Sequence, residues 1–161
     1  MKLVLLDRDG VVVVNRATNI KEPVDLSLVE GATEGIRRLN EAGYTVAICT
    51  NQPEVARGAM SRAQLDVVHQ ALQRRLGDQG ARVDRIFSCT SFRKCPWRKP
   101  AGGMLREALA HYGAQAQETP FAGDRVRFGY GCHRHFGQLR LPPRVRAGGP
   151  GGPAAGRAAF S

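Results

Sequence analysis

Two aspartates one residue apart, Asp7 and Asp9, follow directly on four apolar residues in LVLLDRDGVVVV, residues 3 to 14. In an extended chain residues i and i+2 point the same way, so both carboxylates can face one pocket, with Arg8 directed elsewhere. Gly10 permits a tight turn away from a sheet. Two converging carboxylates can hold Mg²⁺, or divide into a nucleophile and a general acid. Without a cation, like charges this close raise one pKa. The same residues also fit a solvated turn, Asp-Gly being a common turn pair. The motif alone does not decide between the two.

Other residues suited to an anion recur along the chain. ICTNQ (48–52) carries an apolar run into Thr50, Asn51 and Gln52, ARG (56–58) supplies Arg57, RKP (98–100) supplies Arg98 and Lys99, and FAGD (121–124) ends on Asp124. Taken singly, each has an ordinary reading. Thr50 suits β-branched packing at a strand end, Arg98 and Lys99 suit solvated surface, and Arg57 suits a helix-end charge.

The elements that must position these residues are legible from periodicity. KLVLL (2–6) and YTVAICTN (44–51) read as buried strands, Val83–Cys89 as a third and TPFAGD (119–124) as a fourth. Residues 31–43 read as a helix with Ala32, Ile36 and Leu39 on one face and Gly43 as its stop. Ser61 is a good N-cap for a helix over Arg62–Gly77, where Leu65, Val68, Leu72 and Leu76 form a stripe. Gly103–Tyr112 is a further helix. Strands alternating with helices imply an α/β fold with a parallel sheet and helices on both faces. In such sheets the chemistry lies beyond the carboxyl ends of the strands, where Asp7, Thr50 and Asp124 fall.

At 161 residues and 42% hydrophobic the chain fits one domain with a sizeable core. No run approaches the ~18 apolar residues of a membrane span. The first residues enter a strand at once, so no secretory signal and a cytoplasmic location are expected. Four scattered cysteines do not suggest a disulfide scaffold. The net charge is +10, but residues 125–161 hold seven Arg and no Lys, Asp or Glu, so +7 lies in that tail and +3 in residues 1–124. A basic tail can bind phosphates nonspecifically, yet a charged disordered end is the plainer reading, and no specific nucleic-acid partner is expected. Periodicity stops near Arg125, and the tail holds eight of 19 Gly and four of nine Pro. A folded domain over 1–124 and a tail over 125–161, disordered or read out of frame, are expected.

Read in order, LLDRDGV, ICTNQ, RKP and FAGD resemble the four motifs of the haloacid dehalogenase superfamily of phosphohydrolases. The finer likeness, in TNQPEVARGAMS and PWRKPAGGM, is to its small, nearly capless heptose bisphosphate phosphatases, with the histidinol-phosphate phosphatases as sisters. The resemblance covers about residues 1–124 and implies a Rossmann-like fold and Mg²⁺-dependent phosphomonoester hydrolysis through an aspartyl-phosphate. It further implies a small phosphorylated sugar as substrate, removal of the 7-phosphate of a heptose 1,7-bisphosphate in lipopolysaccharide precursor synthesis, and a monomer. Carried over, Asp7 is the nucleophile and Asp9 the acid and base. Thr50 and Lys99 hold the phosphoryl oxygens. Asp7, the Asp9 carbonyl and Asp124 bind Mg²⁺. Asn51, Gln52, Arg57 and Arg98 lie near the substrate.

The chain departs from that pattern in four places. Cys89 and Cys95 match two positions of the family's zinc loop, but Ser91 and Trp97 replace the others, and two ligands do not close a tetrahedral site; no zinc is expected. Val13 stands where relatives have Asn, with Asn15 as a substitute. Pro53 removes a backbone N–H from the loop after Gln52. The last motif, GD-x-x-x-D, lacks its second acid, and the helix and strand that should follow are missing. An incomplete domain with reduced stability and activity is therefore one expectation, an inactive product with an anion-binding tail its extreme.

Overall fold

The computed structural model describes residues 1–16 and 20–124; the expectations for residues 125–161, including the missing acid, helix and strand, lie outside them. Leu3–Leu6 forms β1, and every one of its residues is buried. A strand apolar on both faces must be covered on both. Thr45–Asn51 (β2), Arg85–Cys89 (β3) and Phe121–Ala122 (β4) complete a four-stranded sheet in the order β3-β2-β1-β4. All pairings are parallel, with Leu3 beside Thr45, Thr50 beside Ser88 and Leu6 beside Ala122.

Alternation divides the strands' side chains between two cores. Val4, Leu6, Val46 and Ile48 pack with Ile36 and Leu39 of α1 (Ala32–Glu41) and with Val68, Leu72 and Leu76 of α2 (Arg62–Gly77). Leu3, Leu5, Ala47 and Cys49 pack on the opposite face with Met104, Leu105 and Leu109 of α3 (Gly103–Tyr112). The period of 2 in the strands and of 3.6 in the helices thus produces the α/β layering. Gly43, at φ +80°, ends α1 in a left-handed conformation that a side chain would strain. Ser61 caps α2 in a reciprocal box with Gln64.

β4 is shorter than the 119–124 expected. Pro120 has no N–H to add to a ladder, and the Thr119 N–H bonds the Ala116 carbonyl of a preceding 3-10 turn. The Pro120 and Ala122 carbonyls still accept from Leu5 and Asp7, so β4 delivers Asp124 beside the end of β1. On the other side, Arg75 of α2 donates to the carbonyls of Leu26 and Pro23 and ties down the segment after β1.

Leu72 is fully buried in the α1/α2 core. Leu72→Ala is expected to cost about 2–5 kcal/mol, read as a lower urea midpoint at unchanged slope; a loss below about 1 kcal/mol would contradict this packing.

Candidate active site

Beyond the carboxyl ends of β1, β2 and β4 lies a cavity of about 200 Å³ lined by Asp7, Asp9, Thr50, Asn51, Gln52, Arg98, Lys99 and Asp124 among others. These are eight of the nine residues singled out from sequence. The ninth, Arg57, is not among the lining residues. It pairs with Glu54 at 2.8 Å and lies over the Phe92 ring, half exposed. Glu54, which does line the cavity, is thereby held by Arg57.

Asp7 and Lys99 are both buried and form an ion pair at 2.6 Å. A lysine ammonium so enclosed needs compensation. It finds this in the Asp7 carboxylate and in the Cys49 carbonyl, 2.7 Å away. An ammonium has three protons, so one remains for a ligand. Asp7 also accepts from the Arg8 N–H at 2.8 Å. Burial pushes the Asp7 carboxyl above its ordinary range, and the Lys99 charge opposes that rise.

Asn51 explains how Lys99 reaches this place. Its amide nitrogen donates to the Lys99 carbonyl at 2.9 Å, and its amide oxygen accepts from the Lys99 N–H at 3.0 Å. The side chain lines the cavity, but its amide is spent on this backbone clamp between residues 48 apart in sequence. Thr50 is fully buried and accepts from Gln52 Nε2 at 2.9 Å. The same nitrogen donates to Asp9 Oδ2 at 2.8 Å.

Arg8 does not point elsewhere, as strand alternation suggested. β1 ends at Leu6, so the period of 2 no longer governs the next turn. The Arg8 guanidinium is buried, lines the cavity, and grips Asp9 Oδ1 through Nε at 3.1 Å and Nη2 at 2.9 Å. Its third nitrogen lies 3.3 Å from Nε2 of His69, on α2. A guanidinium can only donate, so His69 Nε2 accepts and its proton sits on Nδ1. Burial, with the Arg8 charge second, pushes the imidazole down to about 4, so it is neutral at pH 7.

Sequence reasoning passed over Arg8, His69 and Arg16. Arg16 lines the cavity and donates to Ser27 at 2.7 Å. The charged residue inside D-R-D was the only visible signal, since the contacts of His69 and Arg16 join residues apart in sequence. Val13 is wholly in the core, whereas Asn15 and Pro53 line the cavity. Arg98 also lines it and donates to the Ser91 carbonyl at 2.8 Å. The sulfurs of Cys89 and Cys95 lie 3.6 Å apart. Among the described residues no three His, Cys, Asp or Glu side chains group as metal ligands.

The oxygen donors at the cavity nevertheless suit a hard cation. Each oxygen of the Asp7 carboxylate accepts one bond and keeps a lone pair. The Asp9 carbonyl accepts no hydrogen bond from a described residue. The Asp124 carboxylate lies where a Cβ on Gly10 would overlap it, and Gly10 sits at φ +83°. Two carboxylates and one carbonyl, with the remaining positions left to water and ligand, are what Mg²⁺ usually takes.

Residues 2–129 match the family model described as polynucleotide kinase 3 phosphatase. The chain is 37% identical over 129 residues to the D-glycero-beta-D-manno-heptose-1,7-bisphosphate 7-phosphatase of Bordetella bronchiseptica, covering 79% of this chain and 72% of that one. A protein of the same name from Pseudomonas aeruginosa is 37% identical over 126 residues, 77% of this chain and 71% of that one. Among solved structures, the D,D-heptose 1,7-bisphosphate phosphatase of B. bronchiseptica, complexed with magnesium and phosphate, superposes with a TM-score of 0.79 at 35% identity. That superposition covers 84% of this chain and 77% of the other.

The Gly10–Asp124 approach generates a test. Gly10→Ala forces a side chain against the Asp124 carboxylate at a left-handed position. Stability is expected to fall by about 1–3 kcal/mol, read by urea unfolding, and Mg²⁺ affinity by about tenfold or more, read by isothermal titration with the metal alone. Unchanged Mg²⁺ affinity would remove Asp124 from the cation's surroundings.

Proposed function

Since the chain belongs to the polynucleotide kinase 3 phosphatase family of haloacid-dehalogenase-like hydrolases, we propose that it removes the 7-phosphate of D-glycero-β-D-manno-heptose 1,7-bisphosphate through an aspartyl-phosphate on Asp7. As a phosphoric monoester hydrolase it needs a nucleophile, a proton donor and charge neutralisation in one pocket. The observation that carries the assignment of roles is the Asp7–Lys99 pair, a carboxylate and an ammonium held together in a cavity at the sheet's carboxyl edge.

The steps follow from the side chains present. An Asp7 oxygen attacks phosphorus in line with the ester oxygen. As the phosphorus–oxygen ester bond breaks, Asp9 gives its proton to the departing sugar oxygen. In the second half Asp9 takes a proton from water, which attacks phosphorus and releases inorganic phosphate and the Asp7 carboxylate. Thr50 and the remaining Lys99 proton meet the phosphoryl oxygens, where negative charge is spread in the transition state. Asp7, the Asp9 carbonyl and Asp124 would hold Mg²⁺, which supplies positive charge to draw the anionic phosphate toward an anionic nucleophile.

The second phosphate of a bisphosphate needs cations further out. Arg98 and Arg16 line the cavity and supply forked donors suited to phosphate. Asn51 serves by fixing Lys99 and Gln52 by orienting Asp9. Arg57 serves through Glu54. The heptose bisphosphate phosphatases among the relatives and the magnesium and phosphate bound in the B. bronchiseptica structure support this reading.

Phosphate release from the heptose bisphosphate, with Mg²⁺ and with a chelator, tests it. Turnover is expected only with Mg²⁺, and Asp7→Asn is expected to lower kcat by about 10³-fold or more. Turnover that survives Asp7→Asn, or a folded wild-type protein that releases nothing, would overturn the reading.

A further inference from the structure

Asp9 has to hold a proton on one oxygen and present it to the leaving group. Its two oxygens are not equivalent here. Oδ1 accepts from both Nε and Nη2 of Arg8, which uses both of its lone pairs. Among the described residues Oδ2 accepts only from Gln52 Nε2. The position left for a transferable proton is therefore on Oδ2.

That arrangement depends on the Arg8 guanidinium staying in its plane. Nε and Nη2 are fixed by Asp9, and a buried Nη1 with no acceptor would favour rotation toward water or toward a cavity anion. His69, one-twelfth exposed or less and anchored in α2, supplies the acceptor at 3.3 Å. No described group other than His69 and Asp9 bonds the guanidinium.

We propose that His69 is a positioning residue for the proton-transfer step: through Arg8 it orients Asp9 so that Oδ2 faces the ester oxygen. The inference rests on the phosphatase reading above and names a residue on α2, outside the four motifs. His69 is not among the residues lining the cavity. Its effect reaches the chemistry only where the leaving oxygen needs a proton.

Leaving-group dependence separates this from a merely structural role. The sugar oxygen of the heptose bisphosphate departs as an alcohol and needs the proton; the phenolate of p-nitrophenyl phosphate departs without one. His69→Leu removes the acceptor. It is expected to lower kcat on the heptose bisphosphate by about tenfold, against about twofold or less on p-nitrophenyl phosphate, with both KM values within about twofold. His69→Gln keeps an acceptor oxygen at about the reach of Nε2 and is expected to return the ratio of the two kcat values to within about twofold of wild type. His69→Asn, whose amide is too short, is expected to shift the ratio as Leu does.

Both kcat values come from one preparation, so an unfolded fraction cancels from the ratio. An unchanged ratio in the Leu and Asn variants, or a Gln variant no better than Leu, overturns the inference while leaving the phosphatase reading in place. Folded wild-type protein that hydrolyses neither substrate overturns both.

Discussion

A lysine ammonium and an aspartate carboxylate 2.6 Å apart, both buried, set the terms for the rest of the molecule. Neither charge is tolerable alone when buried, and removing one partner of such a pair costs more than the pair contributes. Each flanking structure holds one side of it. β1 brings Asp7 to the sheet edge. The Cys49 carbonyl of β2 takes a second ammonium proton, and Asn51, two residues further along the same strand, fixes the Lys99 backbone. Gly103 continues this support, because its N–H bonds the Pro96 carbonyl and a Cβ there would strike that oxygen. The loop carrying Arg98 and Lys99 is thus seated directly on the start of α3.

The second carboxylate is governed by a different balance. Asp9 is only partly buried and is held by three donors from two sides, the Arg8 fork and the Gln52 amide. Gln52 also bonds Thr50, so Thr50 and Asp9 share one amide. Position in such a network comes from directional bonds rather than from apolar packing. α2 meets this network through His69, midway along the helix, whose Nε2 lies 3.3 Å from Arg8.

Much of this fold was legible in the sequence, because strands apolar on both faces and helices with a single apolar stripe leave different periods. α2 and α3 have the bounds read from Ser61 and from the 103–112 pattern. β4 was read too long, since Pro120 still accepts from Leu5 but has no N–H to donate to the ladder. At the site, the ordered motifs brought eight of nine candidates to one cavity. The ninth, Arg57, belongs to a local ion pair that a sequence pattern cannot distinguish from a ligand contact. What stayed hidden were roles set by partners far along the chain: Asn51 on Lys99, and His69 on Arg8 across 61 positions. Alternation misplaced Arg8 for a simpler reason, as the strand had already ended.

In the proposed reaction a carboxylate oxygen of Asp7 receives the phosphoryl group. Borohydride added during turnover of the heptose bisphosphate with Mg²⁺ reduces an acyl phosphate, and peptide mass spectrometry locates the product. Homoserine is expected at position 7 and an unmodified residue at position 9. Sustained turnover with aspartate intact at position 7, or homoserine at another acid, would contradict it.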